Sequence, residues 1–118
     1  HETVTEFGYP MYAEGLERAS KWLGKLNLPI EITENGVADG EDNLRPKHLK
    51  RHLWMIAKLI EQGVDIKSYY HWSLMDNFEW AEGYTMRFGL YHVDYETQIR
   101  TLRGSGKVYQ SIIKQHQN

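Results

Sequence analysis

Residues 30–36 read "IEITENG". Ile30, Ile32 and Thr33 favour a pleated, half-buried strand, and Pro29 is tolerated only at the start of one. Asn35-Gly36 then breaks the strand, because both residues accept the positive φ angles of turns. Glu34 is thereby held at the rim of a sheet. Either it caps the strand or it acts on a ligand, and the rest of the chain decides between these.

The chain has 118 residues, the size of one ordinary domain. It is 41% apolar and 25% charged, with a net charge of −2. Such a balance gives no clustered basic surplus for nucleic acid. With no cysteine, neither a disulfide framework nor a Cys-ligated zinc site is available. No apolar run approaches the roughly 20 residues that cross a bilayer. The opening "HETVTEFGYP" lacks the order of a signal peptide, so a cytoplasmic location is expected. Aromatic residues are abundant, with four Trp and eight Tyr, and such rings serve either as core or as surfaces on which sugars stack.

Periodicity organises the chain as helix, strand, helix, strand. "YAEGLERASKWLGKL" (12–26) places Leu16, Ala19, Trp22, Leu23 and Leu26 at helical spacing. The strand at 30–34 follows, and "VADGEDNL" (37–44) is a polar loop. Pro46 suits a first helical turn, and Leu49, Leu53, Ile56, Ala57 and Ile60 form a stripe ending at Gly63. "VDIKSYYHW" (64–72) is a second strand. A long aromatic loop (73–89), a hairpin around Glu96-Thr97 and a closing helix over "GKVYQSIIKQ" complete the chain. Strand, crossover helix and strand make a βαβ unit with parallel pairing. Two parallel strands need neighbours at their edges and helices on their faces, which points to a larger α/β architecture. In such a setting the C-terminal strand ends form the active face, and Glu34 and Trp72 both lie there.

"ITENG" followed by "WSLMDNFEWAEGYTMRFGLYHVDYETQIRT" resembles the C-terminal end of the family 1 glycoside hydrolases, the retaining β-glycosidases. The resemblance runs from about Phe7 to the final helix. It implies an α/β fold: the C-terminal portion of a (β/α)8 TIM barrel, strands seven and eight with their helices. Residues 1–118 would then be one segment of a single barrel domain, with no internal boundary. The implied reaction is hydrolysis of β-glucosides or β-galactosides through a covalent glycosyl-enzyme. Glu34 matches the catalytic nucleophile, and Trp72 the platform beneath the sugar ring. Glu79 matches the carboxylate that grips two sugar hydroxyls, Trp80 an indole donor to another hydroxyl, and Phe88 an aromatic wall. No cofactor or metal is implied. The implied partners are a β-linked glycoside and the N-terminal part of the same barrel.

The residues themselves agree with that chemistry. Retaining glycosidases use two carboxyl groups about 5–5.5 Å apart, one attacking the anomeric carbon and one protonating the leaving oxygen. Glu79 between Phe78 and Trp80 has the composition of a sugar clamp, a charged acceptor beside apolar ring faces. The family's acid/base motif, Asn-Glu-Pro, is absent from this sequence. Ala13 stands where the family usually has Pro, and Leu102-Arg103-Gly104 replaces a segment that usually contains one.

Plainer readings stand beside these. A lone strand-end Glu is ordinarily solvated, and isolated tryptophans are more often packing residues than platforms. Asp76, Asn77 and Glu82 are read as stabilising their loop through side-chain bonds to backbone. His48 and His52 have metal-ligand spacing but no HExxH context, on a helix face expected to be exposed. "RPKHLKRH" reads as a solvated face, His71 as packed beneath a helix, and Trp22 and Trp54 as packing residues. The alternative function is a non-catalytic carbohydrate- or hydrophobic-ligand-binding scaffold. A scaffold has no need of a carboxylate at the anomeric position, and Glu34 supplies one.

Overall fold

In the computed structural model, which describes residues 3–117, two parallel strands carry the architecture. Helix α1 (Ala13–Gly24) leads to β1 (Ile30–Gly36). Helix α2 (Arg45–Glu61) crosses over to β2 (Ile66–Trp72). After a 3-10 turn at Trp80–Glu82 come β3 (Tyr91–Val93), β4 (Arg100–Leu102) and α3 (Gly104–His116). β1 pairs with β2 in parallel, and β3 with β4 antiparallel, as the crossover and hairpin readings require. No helix among the described residues is long and apolar enough to cross a membrane.

The core lies on one face of the parallel pair. Ile32 and Ile66 from the strands meet Ile56 and Leu59 from α2. Leu16, Ile30, Leu53, Met55, Val64 and Tyr69 pack around them. Burying one such aliphatic side chain contributes about 1.5–3 kcal/mol, which is what holds α2 over the sheet. Gly63, at φ 88°, turns the chain out of α2 in the left-handed conformation that glycine tolerates.

The helix faces differ from the periodic reading. Leu49 and Ile56 are buried, but Ala57 and Ile60 are exposed, and Leu59 takes their place. The true inward face of α2 runs through Arg45, His48, Leu49, His52, Ile56 and Leu59. "RPKHLKRH" is therefore not a solvated face throughout: Arg45, His48 and His52 are buried, while Lys47 and Lys50 are exposed. Trp22 is 66% exposed and Trp54 59%, so neither packs in this chain's core. On α1 only Ala13 and Ser20 are buried, and the stripe of Ala19, Trp22, Leu23 and Leu26 is open. An amphipathic stripe read from spacing marks what a helix seeks to cover, not what is present to cover it.

Polar contacts tie the loops together. Asp39 is buried and its Oδ2 accepts from the N–H groups of Leu44 and Arg45, at 2.7 and 2.8 Å, capping α2. Arg45 pairs with Asp42 and donates to the carbonyls of Asp39 and Arg87. The hairpin tip is an Asx turn, with Asp94 Oδ1 accepting from Glu96 and Thr97.

Candidate active site

The ends of β1 and β2 approach closely. Gly36 pairs with Trp72, and a Cβ built on Gly36 would land on the Trp72 carbonyl oxygen. Only glycine lets the strands meet there. The Trp72–Ser73 peptide bond is cis, and Ser73 N–H donates to the Phe88 carbonyl at 3.1 Å. Trp72 and Phe88 are thus anchored by neighbouring backbone. Glu34 is exposed, and no hydrogen bond or ion pair engages its carboxylate among the described residues.

A cavity of about 310 Å³ opens beside this strand end. Asn35, Gly36, Glu79 and Phe88 line it together with Phe7 and Tyr9. Phe7 lies 6.2 Å from Phe88 and 5.4 Å from Tyr9, ring to ring, so the three rings form one aromatic patch of the lining. Glu79 is held by its main chain, its N–H donating to the Gly83 carbonyl at 2.7 Å. The five anticipated site residues therefore converge less completely than the sequence implied. Glu79 and Phe88 share the cavity, and Trp72 borders it through its pairing with Gly36. Glu34 lies just outside the lining, and Trp80 stands 82% exposed on its 3-10 turn.

The loop carrying Glu79 is fixed from below. Asp76 has a fully buried side chain. Its Oδ1 accepts from Gly89 N–H at 2.9 Å, and its Oδ2 from Arg87, Arg103 and Val93 N–H at 2.8, 3.2 and 3.2 Å. Burial raises the carboxyl's pKa, but the Arg87 bond, the two N–H donors and the Arg103 charge outweigh it and hold the group below its ordinary range. Arg103 also donates to the Gly40 carbonyl at 2.6 Å, so the loops after β1 and β2 share one clasp. Asn77 donates to Ser73 Oγ and the Met75 carbonyl, both at 3.1 Å. Asp76 and Asn77 thus stabilise the loop as read. Glu82 does not do so through its side chain: its carbonyl accepts from Thr85 Oγ1 at 2.7 Å. Sequence reading missed Asp39, Arg45, Arg87 and Arg103. Their partners lie up to 64 residues away, and no local pattern reports such a distance.

A histidine cluster adjoins the cavity, and two of its members, His48 and His52, line it. His48 and His52 stack with ring centroids 3.8 Å apart, and His71 meets His48 at 6.4 Å. The expectation of an exposed helix face fails here, because this turn of α2 faces the strand ends. His71 does pack beneath helices, with Tyr109 of α3 6.2 Å away. Burial, reinforced by the neighbouring histidines, pushes His48 down to about 3. Burial and the Arg45 charge push His71 down to about 4. His52 Nδ1 donates to the His48 carbonyl at 2.9 Å, which places its proton on Nδ1. Among the described residues no group of three or more His, Asp or Glu is arranged to hold a metal ion.

A strand-end carboxylate, a parallel pair and an aromatic cavity at the strand ends define an α/β site of the kind that acts on small polar ligands. The sequence profile of glycosyl hydrolase family 1 matches residues 1–118, and the chain belongs to that family. A beta-glucosidase of Agrobacterium sp. is 46% identical over 94% of this chain and 26% of its own length. A beta-galactosidase of Sulfolobus acidocaldarius is 40% identical over 94% of the chain and 23% of its own length. The crystal structure of a hyperthermophilic beta-glucosidase from Pyrococcus furiosus superposes with a TM-score of 0.94 at 47% identity. It covers 97% of this chain and 24% of that one. The chain spans about a quarter of the length of the curated relatives it matches.

Proposed function

We propose that this chain is the C-terminal segment of a retaining β-glycosidase, acting on β-glucosides or β-galactosides. In this reading β1 and β2 are strands seven and eight of one (β/α)8 barrel domain, and the remainder of the barrel supplies the other strands and the acid/base carboxyl. Glu34 attacks the anomeric carbon while that acid protonates the leaving oxygen. Water then cleaves the glycosyl ester, with the second carboxyl acting as base. Trp72 lies under the sugar ring, Glu79 accepts from two hydroxyls, Trp80 donates its indole N–H, and Phe88 walls the subsite. Trp80 is exposed because nothing among the described residues covers it, and a bound sugar supplies a partner.

The observation that carries the reading is the exposed carboxylate of Glu34 at the rim of β1, next to a cavity lined by Asn35, Gly36, Glu79 and Phe88. Exposure alone is ordinary for a strand-end Glu, and its place beside a cavity shared by Glu79 and Phe88 is what favours a nucleophile. The test is to complete this chain with the N-terminal part of the Agrobacterium sp. beta-glucosidase and treat it with a 2-deoxy-2-fluoro-β-glucoside bearing a good leaving group. The expected product carries the fluorosugar on Glu34, found by peptide mapping, and Glu34→Ala removes both label and turnover. Label on any other residue sinks the assignment.

A further inference from the structure

The register of the parallel pair breaks at the candidate nucleophile. Ile32 pairs with Tyr69 and Asn35 with His71, so three steps along β1 match two along β2. Ile32 belongs to the core cluster under α2, and Tyr69 packs against that same cluster. Asn35 returns to that side as well: the Tyr69 hydroxyl donates to Asn35 Oδ1 at 3.0 Å and lies 3.4 Å from its carbonyl oxygen. In an unbroken strand residues 32 and 35 would face opposite sides, and Glu34 would share the helix side with Ile32. The extra residue absorbs the mismatch, and both Thr33 and Glu34 are exposed.

We propose that Tyr69 is a positioning residue for Glu34: its hydroxyl, bonded to Asn35, locks the bulge that turns the Glu34 carboxylate away from the helices and toward the open face. This rests on the reading of Glu34 as nucleophile. Burial raises the Tyr69 phenol pKa, and Tyr109 adds to the effect, so the hydroxyl keeps its donor proton throughout the neutral range. A nucleophile displaced by an ångström loses about 10²-fold in rate, which is the scale on which such a latch acts.

The experiment uses the completed enzyme described above and compares the parent with Tyr69→Phe, Asn35→Ala and the double variant. Two quantities are read: the first-order rate constant of inactivation by the 2-fluoro glucoside, and the inhibition constant of glucose. Each single variant is expected to slow inactivation by about 10–100-fold, with glucose inhibition in Tyr69→Phe within twofold of the parent and the double variant no slower than the slower single one. Inactivation within twofold of the parent in both single variants overturns the proposal. An equal loss of glucose binding in Tyr69→Phe also overturns it, since that signals a general loosening of the site. If Tyr69→Phe does not fold, Asn35→Ala alone decides on the inactivation rate. A parent that carries no label on Glu34 removes the nucleophile reading, and the latch falls with it.

Discussion

The carboxylate of Asp76 receives the guanidinium groups of both Arg87, from its own loop after β2, and Arg103, from the start of α3, at 2.8 and 3.2 Å. Removing a partner from a buried pair of this kind leaves uncompensated charge and costs about 3–5 kcal/mol. Asp76→Ala in the completed enzyme is therefore expected to lower the free energy of unfolding by that amount, read from urea titration. A loss below about 1 kcal/mol would mean the clasp is solvated.

Acid should weaken the protein in two separable stages. His48 and His71 have folded pKa values of about 3 and about 4, below the ordinary 6.5. Between those values the unfolded chain binds more protons, so each histidine removes up to about 1.4 kcal/mol per pH unit as pH falls below 6.5. Asp76, whose pKa is lowered from 3.8, contributes stability above that value and loses it only as pH falls further. Unfolding free energy measured from pH 7 to 4 should fall steadily, and His48→Gln should flatten that slope. An unchanged slope would place the titration elsewhere.

Gly36→Ala should be more damaging than an ordinary turn substitution, because the new methyl meets the Trp72 carbonyl and forces the strand ends apart. The expected outcome is a lowered melting temperature together with at least tenfold slower inactivation by the 2-fluoro glucoside, since displacement at this scale costs about 10²-fold. Normal kinetics with normal stability would show that the strands separate there without consequence.

Glu79 lines the cavity and is expected to accept from two sugar hydroxyls. Hydrogen bonds to charged groups are worth about 1.5–3 kcal/mol each, so Glu79→Ala should reduce kcat/KM by a few kcal/mol of transition-state binding. The loss should shrink for deoxy substrates that lack one of those hydroxyls. Equal losses for intact and deoxy substrates would make Glu79 a structural residue.

By itself this chain should associate and should not turn over a chromogenic β-glucoside. Trp22, Leu23, Leu26 and Leu28 are exposed together, and the two-stranded parallel sheet has no further neighbours among the described residues. It also lacks an acid partner for Glu34, and general acid help typically contributes 10²–10⁴-fold. Light scattering should report oligomers. Turnover by the isolated chain, abolished by Glu34→Ala, would mean that a second carboxyl here serves as the acid.

Local chemistry made much of this legible. Pro29 and the β-branched run mark the start and body of β1, Pro46 and Gly63 bracket α2, and the hairpin turns at Glu96-Thr97, because each acts within a few residues. Asn35-Gly36 does not end the strand as its turn propensity suggested: both residues lie inside β1 without positive φ, because pairing with His71 and Trp72 holds them extended. The helix faces were harder. Spacing marked Trp22, Trp54, Ala57 and Ile60 as inward, yet all four are exposed, since periodicity measures apolar residues and not the surface that meets them.

What the sequence determined by itself was the order of elements, the parallel crossover and the candidate residues for the chemistry, all set by short-range propensity and by motifs. Only the tertiary structure decided how those residues are aimed. The bulge that turns Glu34 outward exists because Ile32 and Asn35 both bond or pack on the helix side, and the clasp of Asp76, Arg87 and Arg103 exists because the loop after β2 and the start of α3 bury their charges together. Strand register and buried charge pairing depend on which segments meet in space, and that is a property of the folded chain.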